Sequence, residues 1–488
     1  MESIRRYRQE HAGRIVHELV ALVRVPNNVY LVEQVQRNSR VVKALLEQRG
    51  IRAELWPTAT GKPLVYGELL SPGATETVLV YGHYDGVPAE RERWHSDPYE
   101  PVLRTHMPVG AEAVWSSFAV PAVGPFDDNW RLFGRSVADS KNAIVAMLAA
   151  LDALRAAGMQ PGVNLKFLFD GEEELESPCL PAALERYQDR LKADVMISAS
   201  GERHQSGRPT VEFGIRGILM FDLTVYTASV AMHSGHFGHF APSAVFQLSH
   251  LLASMKGRDG RVLIEGFCDE VEPLSASEQQ AIRQIPSVEE RVRRQFGIAR
   301  AEVEGKRLQE LINLPTLNVR GVRSGFVGEE ARNIIPNVAL ADCDVRLVRA
   351  MDPDRTLACV AAHIELQGWT VLAHEPSREE LLAHGPVVRL RKRSGFPAAR
   401  TPLDSPIAGR LVAALERAAQ EPLVVMPSEG GSLPMCLFEQ IGLPFVGLPT
   451  SNFDCNQHTD DENLQLKYLF EAVDLFASLF RWGEGLIM

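Results

Sequence analysis

The run Thr77-Val78-Leu79-Val80-Tyr81 is almost wholly apolar and β-rich, the composition of a strand buried on both faces. Residues 164–169 and 194–198 repeat that texture. Between them lie a helix pattern at 141–157, rich in alanine and leucine, and another around 179–187. Strands that alternate with helices in this way build an α/β domain on a largely parallel sheet. In such sheets functional residues gather where the strands end. Two of these runs are followed at once by ionisable residues, His83 and Asp85 after the first and Asp170 to Glu174 after the second.

The rest of the chain divides around that pattern. Helices are predicted at 4–24 and 34–49, and strands at 51–56, 64–69 and 77–82. Near 209 the texture changes to alternating strands at 210–226, a helix at 243–255, a charged helical stretch at 275–312 broken by Pro286, and strands at 316–319, 339–348 and 370–372. From about 400 the helix-and-strand alternation returns, with a helix at 406–420, strands at 423–426 and 444–448, and a last helix at 463–482. The expected architecture is an α/β catalytic domain, its mostly parallel sheet flanked by helices and formed by 1–208 and 399–488. An inserted α+β lid and dimerisation domain, 209–398, splits it.

Bulk properties exclude several classes. The chain has 488 residues, 45% of them hydrophobic, and a net charge of −11, which speaks against nucleic acid or an anionic membrane as partner. Arg391-Lys392-Arg393 reads as a solvated patch. Six cysteines form no CxxC pair and read as free thiols in a reducing compartment. No apolar stretch of about 18 residues offers a membrane span, and the amphipathic, charged start lacks a signal-peptide core. The expected location is the cytoplasm.

Four clusters carry the chemistry. In Gly82-His83-Tyr84-Asp85 a histidine at a strand end can present one ring nitrogen to a metal while the acid two residues on holds the other. Asp139, in Gly134-Arg135-Ser136-Val137-Ala138-Asp139-Ser140-Lys141, opens a helix and is equally suited to be its cap. In Asp170-Gly171-Glu172-Glu173-Glu174 one carboxylate can bind metal while its neighbour takes a proton from water. His458 precedes the last helix. Histidines and carboxylates so placed match the ligand preference of zinc, with a position left for water.

These clusters, in this order, resemble the M20 metallopeptidases, a family of carnosinase-like dipeptidases, aminoacylases and glutamate carboxypeptidases. Gly82 to Asp85 is similar to the family's GHxD, Trp94 to Pro101 to its W–DP(F/Y)xP stretch, Gly134 to Lys141 to GRGxxDxKG, Asp170 to Glu174 to EGEEE, and His233-Ser234-Gly235 to the lid HSG. The resemblance implies a small dipeptide-like or N-acyl amino acid substrate and one or two zinc ions, with manganese or cobalt as alternatives. It also implies a homodimer formed through the lid. His83 and His458 would each bind one metal, Asp139 would bridge both, and Glu174 would be a further ligand. Glu173 would be the general base and Asp85 would orient His83. His233 would reach the substrate carbonyl, from the other subunit in dimeric relatives. Arg346 would hold a substrate carboxylate, with Gly431 and Ser432 at the same end. The resemblance also implies a cis peptide after Asp139.

The chain departs from the pattern where the family places an aspartate ligand after the strand at 194–198. Registering on Ile197-Ser198 puts Ala199 there; registering on Gly201 puts Ser200. Neither can replace a carboxylate, so the ion on the His83 side would be weak, absent or helped by Glu202. Ser136, Ser140 and Asn142 also replace the family's Gly, Asp and Gly. A deacylase acting on a non-peptide amide and a metal-impaired, noncatalytic relative remain alternatives. The long segment 103–128 either shapes the substrate pocket or packs on the fold.

Overall fold

The computed structural model describes residues 1–107 and 114–482. The strand Thr77–His83 lies inside an eight-stranded sheet, paired in parallel with Asn164–Asp170 on one side and Val195–Ser198 on the other. Phe445–Gly447 continues the sheet in parallel beyond Val195–Ser198. Arg52–Trp56 and Leu64–Leu69 extend the other edge in antiparallel pairing. Helix Asn142–Ala156 is buried almost throughout because it is covered in turn by the last helix, Leu466–Leu479. This is the α/β arrangement expected from the sequence, and it brings His83 and the Asp170–Glu174 segment to adjacent strand ends.

The insert carries a second sheet of five strands: Thr316–Ser324, Val338–Leu347, Gly217–Tyr226, Val387–Phe396 and Thr370–Leu372. Helices Ala244–Met255 and Pro353–Leu366 pack on it. Several expectations need correction. Residues 4–24 form two helices, Glu2–Glu10 and Ala12–Val23, which meet at His11. The patch Arg391-Lys392-Arg393 is exposed as expected, but it belongs to the ten-residue strand Val387–Phe396, which the sequence does not announce because three cations interrupt its apolar pattern. They are accommodated because Arg391 and Arg393 both reach the buried Asp222 of the neighbouring strand, and Lys392 pairs with Asp354 at 2.6 Å. Helix Pro353–Leu366 is a further element beyond those expected, with Asp352 as its cap and Pro353 in its first turn.

The domain boundary moves as well. Thr210–Glu212, placed in the lid by the change of texture at 209, is a strand of the large sheet and pairs in parallel with Val424–Met426. Gly214–Ile215 pairs with Ala399–Arg400, so the chain crosses into the insert just after 215. The helical stretch 275–312 leans on the catalytic domain. Ile285 packs with Val424 and Met426, and Glu278 pairs with Arg400 at 3.0 Å.

All six cysteines are unpaired. Among the described residues no helix is long and apolar enough to cross a membrane.

Candidate metal centre

Four chain segments deliver ligand-type side chains to one point. His83 ends its strand and is fully buried. Its Nδ1 lies 3.2 Å from Asp85 Oδ1, and Asp85 is held in turn by the backbone N–H of Glu174, which donates to its Oδ2 at 3.1 Å. With Nδ1 donating to Asp85, the Nε2 lone pair faces Asp139 Oδ1 at 3.0 Å. The other oxygen of Asp139 lies 2.9 Å from His458 Nε2, which is 3.1 Å from Glu174 Oε2. One ligand atom each from His83, Asp139 and Glu174 fall within 4.8 Å of one another.

An imidazole lone pair and a carboxylate oxygen this close repel unless a cation or proton lies between them. The electrostatics of the cluster point the same way. Burial opposes a charge on His83, yet Glu173, Asp139 and Asp85 hold it well above its ordinary value. Hydrogen bonds to Asp139 and Glu174 push His458 up to about 11. Burial alone would raise Asp139, but its bonds to the two histidines hold it well below the usual carboxylate range. Ligand bonds of about 2.0–2.1 Å in tetrahedral array separate donor atoms by about 3.3 Å, close to the spacings here. The residues present therefore fit a divalent ion with nitrogen and oxygen ligands.

Asp139 sits after the left-handed Ser136 and before a cis peptide to Ser140. What fixes that loop is Glu462, four residues after His458. Its Oε1 accepts from the backbone N–H groups of Ala138 and Asp139 at 2.9 and 3.1 Å. Its Oε2 accepts from Ser136 N–H and Arg135 at 2.8 and 2.9 Å. His458 itself lies in a loop with left-handed backbone at Asn456, His458 and Asp461. Asp461 Oδ2 bonds His95 Nδ1 at 2.7 Å, and the His95 ring stacks on Trp115 with centroids 3.7 Å apart. Elsewhere segment 103–128 packs on the fold, with Phe118 paired to Leu103 and set edge-on, like Phe126, against Trp130; residues 108–113 lie outside the described residues. None of its described residues lines the cavity beside the centre.

Of the two positions offered for the family's aspartate, Ala199 and Ser200, only Ser200 turns towards the ligand set. Ala199 is fully buried and its methyl belongs to the hydrophobic core, because it continues the inward alternation of Val195 and Ile197. Ser200, next in the chain, faces the centre, its hydroxyl 3.5 Å from Asp139 Oδ1 on the His83 side. Glu202 lines the same cavity but its carboxyl accepts from the Cys455 thiol at 3.2 Å, and burial pushes it up to about 7.

A cavity of about 470 Å³ opens from Asp139, Glu173, Glu174 and His458 towards Gly431 and Ser432. Glu173 stands beside the ligand set, its carboxylate 3.9 Å from His83 Nε2. Burial above all, with Glu174 and Asp139 adding to it and His83 opposing, pushes Glu173 up to about 8. Arg346 is at the cavity's edge, donating to Ser432 Oγ at 2.8 Å and to Asp344 at 3.0 Å. His233 is exposed on the lid, its Nδ1 accepting from Gly235 N–H, and does not line the cavity of its own chain.

Paired histidines and carboxylates at the strand ends of an α/β domain, with a lid inserted, define a hydrolase of the metallopeptidase class. The family model Peptidase family M20/M25/M40 matches residues 79–482, and the chain belongs to that family. It is 24% identical to the Cys-Gly metallodipeptidase dug1 of Schizosaccharomyces pombe, over 85% of this chain and 82% of that one. It is 25% identical to the human Beta-Ala-His dipeptidase, over 86% and 77%. Its fold matches an M20 family metallo-carboxypeptidase from Sulfolobus solfataricus with a TM-score of 0.76, at 24% identity over 96% of this chain and 98% of that one. Human carnosine dipeptidase 1 follows at 0.75 and 23% identity, over 99% and 98%.

Proposed function

We propose that this hydrolase cleaves the peptide bond of a small, carboxylate-bearing substrate, a dipeptide or N-acyl amino acid, with zinc as metal and Glu173 as general base. The observation that carries the reading is the placement of Glu173: its carboxyl stands 3.9 Å from a histidine nitrogen of the ligand set and lines the cavity that opens from it. His83, Asp139, Glu174 and His458 would hold the ion. When bound, the metal supplies Lewis acidity that activates water and polarises the scissile carbonyl.

The chain's own groups do the rest. Glu173 takes the proton of the attacking water and passes it to the leaving amine, a shuttle open to a carboxylate that stands beside the ligand set without belonging to it. Asp85 keeps His83 in one tautomer. Glu462 keeps the Asp139 loop rigid. Arg346, steadied by Ser432, takes the substrate carboxylate in a charge-assisted contact. Exposed His233 serves the substrate carbonyl of a second copy, in a homodimer formed through the lid. The relatives named as dipeptidases support the substrate size.

The test is Glu173→Ala. Turnover of a dipeptide panel should fall at least 10³-fold while metal content by mass spectrometry is unchanged; near-normal turnover would refute the assignment. A second reading, a relative impaired in metal binding, draws on Ser200 standing where a carboxylate would complete the His83 side. A purified protein that is inert on peptides and non-peptide amides alike, after loading with zinc or manganese, would favour it.

A further inference from the structure

Glu212 is a buried carboxyl without a partner. It is 5% exposed and makes no hydrogen bond or ion pair with any described residue, yet it lines the cavity that opens from the metal centre. Its neighbours in the strand, Val211 and Phe213, face the apolar core on the other side. The carboxyl is free to lean sideways because the adjacent strand has Gly447 opposite it: a Cβ there would lie 2.7 Å from Glu212 Oε2. It therefore lies over Gly447, towards the strand that ends in Ser198, two residues before Ser200, since Gly447 is in register with Ser198. Glu429, whose Oε1 accepts from Gly431 N–H at 2.7 Å, brings a second carboxyl to the same part of the cavity.

Burial, with the charge of Glu429 adding to it, raises Glu212 well above its ordinary value. A carboxyl in that state costs stability and offers nothing to the fold. A ligand cation changes the balance, because it makes the ionised form the favoured one and takes the place of the missing partner.

We propose that Glu212 is a specificity-determining residue that accepts a cationic side chain, ammonium or guanidinium, on the acyl half of the substrate. This rests on the hydrolase reading above, in which Arg346 and Ser432 hold the carboxylate of the other half. Reach selects a side chain over the amine next to the scissile carbonyl. One strand spacing of about 4.8 Å and two residues of about 3.3 Å each separate the carboxyl over Gly447 from Ser200 at the centre, roughly 8 Å on the diagonal. A lysine or arginine side chain spans that distance, and an α-amine does not.

The test compares Lys-Gly and Arg-Gly with norleucyl-Gly, a neutral match for lysine in shape, on the metal-loaded protein and its Glu212→Gln variant. The wild type is expected to prefer the cationic dipeptides by at least tenfold in kcat/KM. That ratio should collapse towards one in Glu212→Gln and be partly kept in Glu212→Asp. A ratio near one in the wild type, or one that Glu212→Gln leaves intact, overturns the proposal. If no dipeptide is cleaved, the hydrolase reading fails separately, and binding still decides this one. Agmatine should raise the melting temperature of the wild type and not that of Glu212→Gln; equal shifts, or none, overturn it.

Discussion

Ser200→Asp and Ala199→Asp place the same carboxylate one residue apart and should have opposite fates. Ser200 Oγ is 3.5 Å from Asp139 Oδ1. At that distance two carboxylates repel by about 5 kcal/mol with an effective dielectric of 20. The new group escapes part of this by keeping its proton, and raising an aspartate from about 3.9 to 7 costs about 4 kcal/mol. In chelator, Ser200→Asp should therefore melt about 5 °C below the wild type, since a catalytic unit of this size changes by roughly 1–2 °C per kcal/mol. Zinc should more than restore it, because the added oxygen completes a ligand set on the His83 side. Metal counting should give close to one tightly held ion in the wild type and close to two in Ser200→Asp. Ala199→Asp buries its carboxyl in the apolar core, costs at least as much, and gains nothing from zinc. The measurements are thermal melts with and without chelator and elemental mass spectrometry. If Ser200→Asp holds no more metal than the wild type and zinc leaves its melt unmoved, Ser200 does not face a metal position. If Ala199→Asp is the variant that zinc rescues, the register inferred from the structure is wrong.

Replacing Arg346 with alanine should lower kcat/KM on carboxylate-bearing dipeptides by about 10- to 100-fold, as expected for a charge-assisted hydrogen bond, mostly through KM; an equal loss on amidated dipeptides would contradict its role. Glu212 also predicts a pH dependence of stability in the unliganded protein. Its raised value means that the folded state keeps the proton after the unfolded chain, with an ordinary value near 4.5, has lost it. Stability is therefore fully present below about pH 4.5 and falls as pH rises towards the folded value, at up to about 1.4 kcal/mol per unit. Glu212→Gln lacks that slope, so chemical denaturation of the two proteins from pH 4.5 to 8 should show the variant gaining on the wild type; parallel curves would mean that Glu212 ionises normally.

The legible parts of this molecule are those whose physics is local. Apolar runs such as 77–81 and 164–169 announce buried strands, and strand ends are where an α/β sheet exposes its functional groups. The lid boundary was misplaced because Thr210–Glu212 is a strand of three residues that joins the large sheet only through partners more than 200 residues away, at 424–426 and 447. The strand at 387–396 was hidden because its arginines are neutralised by Asp222, a partner about 170 residues distant. Glu462 and Glu212 show the same limit at the site. Each looks like a solvated acid in sequence, and each is defined by what lies around it in space. Glu462 has four donors on its two oxygens, whereas the side chain of Glu212 makes no hydrogen bond or ion pair among the described residues. A fully satisfied buried carboxylate is explained by the fold that surrounds it. A buried carboxyl with no partner is not, and its place in the cavity of a hydrolase directs the search for that partner to the substrate.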